Sequence, residues 1–238
     1  MMDLQPPVLE RMSRQLSAWE QSSDPRAVFL GCYTLMTQNM LGAIQAGEFH
    51  DPEWVGELLE HFAGYYFTAL DQYDNPNHTA PAVWQLTFDS ARQPGMHVLQ
   101  NLLLGVNAHI NYDLILALGD MLEPDWERLD PAGRERRRTD HDHVNRIIGR
   151  TLDAVQDTIL ERQAPEMELV DRLLGPFDEW LISSLVERWR DQVWGDAVNR
   201  IERTAEKERE LLRVEFENEC LRRAKLFLLD DFSHLLHV

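Results

Sequence analysis

The stretch Leu99 to Leu122 constrains this chain more than any other. It is apolar around its whole circumference and rich in leucine, yet it carries Asn107, His109, Asn111 and Asp113 at its middle. A helix apolar on every side must be surrounded, either by lipid or by other helices. At the centre of a bilayer those four polar groups would each be costly. A buried helix in a water-soluble bundle is therefore the expected reading, with the polar groups paired or facing a pocket.

The rest of the chain has the same 3.6-residue periodicity, and no run of alternating residues suggests a strand. Pro6 and Pro7 precede a first helix to about Trp19, and Ser23-Asp24-Pro25 reads as the start of a second that ends near Gly47. Asp51-Pro52 repeats that signal for a third helix through Tyr73. A short helix is expected at Trp84–Arg92, and Pro94-Gly95 breaks the chain before a central helix over Met96–Met121. A long helix is expected at Arg134–Arg162. Pro165 and Gly175-Pro176 then interrupt, and helices follow at Phe177–Thr204 and from Ala205 to the end. In the last of these, Leu211, Leu212, Phe216, Leu226 and Leu229 are the expected buried edge beneath a dense run of charges. With no repeat and no long linker, the chain reads as one all-α domain over 1–238, a multi-helix bundle around a buried central helix, with a charged C-terminal helix from about 205.

Charge narrows the partners. The chain has 41 acidic and 23 basic residues, a formal charge of -18, which repels phosphate backbones and anionic lipid. Neither nucleic acid nor membrane insertion is expected, and the basic run Arg134 to Arg138 reads as a solvated helix start. The 2 cysteines, Cys32 and Cys220, lie far apart, which fits a reducing compartment. Met1 to Pro7 shows no secretory pattern, so the expected location is cytoplasmic.

His109 and Asp113 are four apart and share a face of the central helix. Asn107 and Asn111 form a second such pair pointing to a different side. Asp140 with His143, and Glu57 with His61, put an acid near a histidine on two further helices. Helical bundles build metal sites from inward carboxylates and histidines, so His109, Asp113, Asp140, His143 and His61 are candidate ligands for zinc, iron or manganese. The opposing readings are a surface pair for Glu57–His61, a helix cap for Asp140, and a satisfied core network for His109–Asp113. The motifs HExxH, GxSxG, GxGxxG and the P-loop are all missing. Aromatic residues, among them Tyr33, Tyr66, Trp84 and Trp194, recur on the same helices and can line a small-molecule pocket or plain core.

The string Asn107-Ala108-His109-Ile110-Asn111-Tyr112-Asp113-Leu114 resembles a bacterial family known only as a domain of unknown function. Phe29 to Thr37, His61 to Leu70, Asp140 to Asn145 and Trp189 to Trp194 fit the same pattern, spread from about Ala27 to Ala197. The resemblance implies an all-helical single domain and points to Asn107, His109, Asn111, Asp113, Asp140, Asn145 and Arg190. It carries no activity. Together the two lines of reading give an enzyme acting on a small organic molecule. His109, Asp113, Asp140, Tyr33 and Arg190 would be its catalytic set, and Asn107, Asn111, Asn145, Tyr66, Trp84 and Trp194 its substrate contacts. With a metal the expected chemistry is hydrolysis or oxygen chemistry; without one, proton transfer or cyclisation. The alternative is a non-catalytic binding or helper protein whose polar cluster is structural. Either reading is compatible with a homo-oligomer.

Overall fold

The computed structural model describes residues 7–155, 176–203 and 205–229, and every regular element among them is helical. In chain order these are α1 (Pro7–Gln21), α2 (Ala27–Gln45), α3 (Pro52–Asp74), α4 (Ala82–Ala91) and α5 (Val98–Ala108). A π turn (His109–Asp113) then leads into α6 (Leu114–Leu122), α7 (Pro131–Val155), α8 (Pro176–Ile201) and α9 (Glu206–Phe227). The expected all-α bundle is what forms. The expected end of the long helix at Arg162, the breaks at Pro165 and Gly175, and the chain end beyond Leu229 lie outside the described residues.

Local chemistry places the helix starts. At α3 the Asp51 carboxylate accepts the Trp54 N–H at 3.0 Å, with Pro52 in the first turn where no N–H is needed. At α5 the His97 ring nitrogen accepts the Leu99 N–H at 3.2 Å, and Gln100 accepts the His97 N–H at 3.3 Å. Helix α2 starts later than the sequence suggests. Asp24 accepts the Arg26 N–H at 3.0 Å, and the first helical residue is Ala27. Gly47 and Gly95 take positive φ, 73° and 84°, in the turns after α2 and α4.

The central helix is not one regular helix. The Leu114 N–H bonds back five residues to the His109 carbonyl, which widens the helix where its polar residues sit. Two apolar clusters flank it. Leu103, Leu104, Ile110, Leu114 and Leu118 pack with Trp189, Val193 and Trp194 of α8. Leu102, Ala108, Tyr112 and Leu116 pack with Phe29, Tyr66 and Trp84 of α2, α3 and α4. By length and composition Ala27–Gln45 and Val98–Leu122 could each cross a membrane, but 89% of the second helix's apolar window is buried inside the bundle.

Two surface expectations change. On α9 the buried side chains are Phe216, Cys220, Ala224 and Phe227, whereas Leu211 and Leu226 are 61% and 56% exposed and Leu229 is exposed as well. The α9 stripe follows the phase that sets Cys220 against Asn107 of α5, its thiol donating to the Asn107 carbonyl at 3.3 Å, and the leucines fall outside it. The basic run on α7 is also not simply solvated. Arg134, Arg137 and Arg138 lie over the rings of Trp126, Trp54 and Trp194, and Arg137 pairs with Asp51 at 2.7 Å. Arginine covers an aromatic ring with its planar head, which a count of like charges does not reveal.

Candidate functional site

The wide turn of the central helix aims His109 and Asp113 toward α2, α3 and α4. His109 Nδ1 lies 3.0 Å from Asp113 Oδ2. The indole N–H of Trp84 donates to both carboxylate oxygens at 3.0 Å. A carboxylate held by a buried indole, and holding an imidazole in turn, is a base-and-orienter arrangement. Trp84 is fully buried, while His109 and Asp113 are 3% and 1% exposed.

Burial decides the charge state. It pushes the Asp113 carboxyl well above the usual carboxylate range and the His109 imidazole well below the usual histidine range. Both shifts favour the uncharged forms, a carboxyl proton shared between Oδ2 and Nδ1 beside a neutral imidazole. Wherever that proton rests between Oδ2 and Nδ1, Nε2 carries a hydrogen of its own. Among the described residues that Nε2 has no hydrogen-bond partner and is fully buried. Phe62 lies flat on the imidazole, ring centres 3.6 Å apart and planes 9° apart, and Tyr33 meets it edge-on at 4.3 Å. The Tyr33 and Tyr66 hydroxyls are likewise buried and unpartnered.

His109 borders a cavity of about 170 Å³ between α2, α3, α5, α7 and α8, walled mainly by Met36, Met40, Leu59, Leu103, Ile110 and Val144. Tyr33, Phe62, Asp140, His141 and Arg190 also reach its wall. Apolar cavities of about 150 Å³ hold a benzene-sized guest. Asp113 stands behind His109 and is not on the wall.

At another part of the wall Arg190 is tied to α7. Its Nε donates to Asn145 Oδ1 at 2.8 Å and its Nη2 to the His141 carbonyl at 2.8 Å. His141 Nε2 lies 3.0 Å from the Arg190 carbonyl and must donate there, which leaves Nδ1 as an acceptor 3.3 Å from Nη2. Burial and the nearby guanidinium keep this imidazole well below the usual histidine range.

The remaining candidates are dispersed. Asp140 accepts the His50 and Asp51 N–H groups at 2.8 Å each, so it caps the start of α3 rather than the helix it belongs to. His143 Nε2 meets Glu48 at 3.0 Å. His61 bonds Asp120 at 3.1 Å and not Glu57. Among the described residues no three His, Cys, Asp or Glu side chains converge as a metal site would need; of the five expected ligands only His109 and Asp113 meet, and Asp140, His143 and His61 each have a partner elsewhere. Asn111 donates to Asn107 at 3.1 Å, and Asn107 donates to the Cys220 carbonyl of α9 at 2.9 Å. That pair faces away from the cavity, as its offset from His109 requires. Of the expected substrate contacts, Tyr66 and Trp84 stand behind the cavity and Trp194 packs against His141 at 5.2 Å. Phe62 and His141 were not singled out from the sequence. Spacing pointed to both: Phe62 is four residues before Tyr66 on α3, and His141 is four before Asn145 on α7.

No curated protein and no solved structure matches this chain. A family profile does, over residues 6–230 and so over nearly the whole chain: the protein belongs to the family of unknown function DUF5995.

Proposed function

We propose that the protein is a small-molecule enzyme that takes a mostly apolar molecule into the cavity and transfers a proton through His109. The observation that carries this is an imidazole on an apolar wall whose Nδ1 is fixed by Asp113 and whose Nε2 has no partner. A buried N–H with nothing to bond is costly, and an oxygen acceptor on a guest relieves that cost. When Nε2 gives up its hydrogen, the proton shared with Asp113 settles on Nδ1 and the carboxylate is stabilised by the Trp84 N–H. The suitable substrate is an apolar carbonyl compound that takes this proton on oxygen and returns one from its α-carbon to the freed Nε2 lone pair, so that the dyad is restored as the enol forms. Tyr33, buried beside the ring, is the second candidate donor.

One observation favours the non-catalytic reading. Phe62 lies flat over the imidazole and Nε2 is fully covered, as a purely structural dyad beneath a binding pocket would be. Nitrogen-15 spectra of histidine-labelled protein separate the two readings, with acetophenone and toluene as probes. The enzyme reading expects both probes to bind and only acetophenone to shift the His109 Nε2 resonance. Acetophenone bound without any response at His109 overturns proton transfer and leaves a binding protein. Failure of both probes to bind overturns the cavity as a site.

A further inference from the structure

Arg190 is a permanent cation with five N–H donors, and it is 5% exposed. Among the described residues its hydrogen bonds all go to neutral acceptors: Asn145 Oδ1, the His141 carbonyl and His141 Nδ1. Among the described residues no carboxylate lies within ion-pair distance. The two acids nearest in sequence to those partners are engaged elsewhere. Asp142 pairs with Arg138 at 2.9 Å, and both oxygens of Asp140 take main-chain N–H groups. Burial lowers the guanidinium from its ordinary range to about 10, an effect that Asp142 offsets only in part and the neighbouring Arg138 reinforces. Among the described residues its Nη1 has no partner, and the atom is not fully enclosed. The residue is on the wall of the same cavity as His109.

A buried charge with no carboxylate paired to it is costly, and the cavity is the place where one can be supplied. We propose that the guest is a small monocarboxylate. Its head group accepts from Arg190 Nη1, and its apolar body lies along Met36, Leu59, Leu103, Ile110, Val144 and Ile148. A single guanidinium balances one negative charge, and among the described residues no lysine or second arginine lines the cavity to balance the second charge of a phosphate monoester. His141 and Asn145 act as positioning residues, since they occupy Nη2 and Nε and leave Nη1 for the guest. The inference rests on the cavity admitting a guest, but not on proton transfer at His109.

Calorimetric titration with benzoate, benzyl alcohol and toluene tests it, on the whole protein and on Arg190→Met with its melting temperature checked. Benzoate should bind about tenfold or more tightly than benzyl alcohol, the margin of a charge-assisted hydrogen bond. In Arg190→Met that margin should vanish while toluene still binds. Should Arg190→Met not fold, the Arg190 Nε–H resonance of the unaltered protein carries the test: benzoate must shift it and benzyl alcohol must not. Benzoate binding no tighter than the alcohol, or tighter but indifferent to Arg190, overturns the carboxylate proposal. Toluene failing as well would overturn the cavity reading itself.

Discussion

Replacing Asp140 by alanine separates a structural from a chemical role for this acid. Its oxygens accept the His50 and Asp51 N–H groups at 2.8 Å each, and the carboxylate is 1% exposed. A hydrogen bond to a charged group contributes about 1.5–3 kcal/mol. His50 is itself exposed, so water reaches part of what the substitution frees, and the lower figure applies. Two such bonds give about 3 kcal/mol. In a chain of this length that lowers the melting temperature by about 6–12 °C. Asp140→Asn keeps one acceptor and turns an N–H₂ toward the other main-chain donor, so it should fall between the two. Calorimetric melting measures the shift, and amide exchange at His50 and Asp51 should accelerate in step. A melting temperature for Asp140→Ala within about 2 °C of the parent would refute the capping argument.

A Cβ at Gly105 would overlap the Phe29 ring. Gly105→Ala should therefore destabilise by about 1–3 kcal/mol despite its better helix propensity. Gly149→Ala on α7 meets open space and should stabilise by about 0.5–1 kcal/mol; parallel urea melts giving the same sign for both would contradict the packing. Acid sensitivity should report His141. Its lowered folded value means that only the unfolded chain takes up a proton as pH falls below about 6.5, so stability drops there by about 1.4 kcal/mol per pH unit. His109 acts in the same sense. Asp113, raised in the folded state, binds its proton more tightly there than when unfolded, and so gains stability as pH falls and offsets it. His141→Gln should flatten the fall between pH 6.5 and 5.5 in urea melts, and an unchanged slope would count against the assignment.

What the sequence revealed was local. Asp51-Pro52 starts a helix because a carboxylate and a proline act within one turn, and His109 meets Asp113 because four residues make nearly a turn. What stayed hidden depends on distant partners. Asp140 looks like a site acid until His50, 90 residues away, is seen to need it. Arg137 and Arg138 look like surface charge until Trp54 and Trp194 are placed beneath them. Leu211 and Leu226 are apolar enough for a core, but α9 buries the stripe of Phe216, Cys220 and Ala224. For the site, periodicity supplied the dyad and family resemblance supplied Arg190. Neither predicted that Phe62 would cover the imidazole.

The five-residue turn at His109–Asp113 divides the central helix into two rods that are continuous in sequence but set at separate rotational phases. The first rod, α5, is held by α2, α4 and α9; the second, α6, by α3 and α8. One added residue rotates everything downstream by about 100° relative to an unbroken α-helix. Deleting a single position here would leave a perfectly good helix whose two ends no longer suit their neighbours together. The motif is thus as much a gear between two packing surfaces as a set of polar side chains, and its length matters as much as its chemistry.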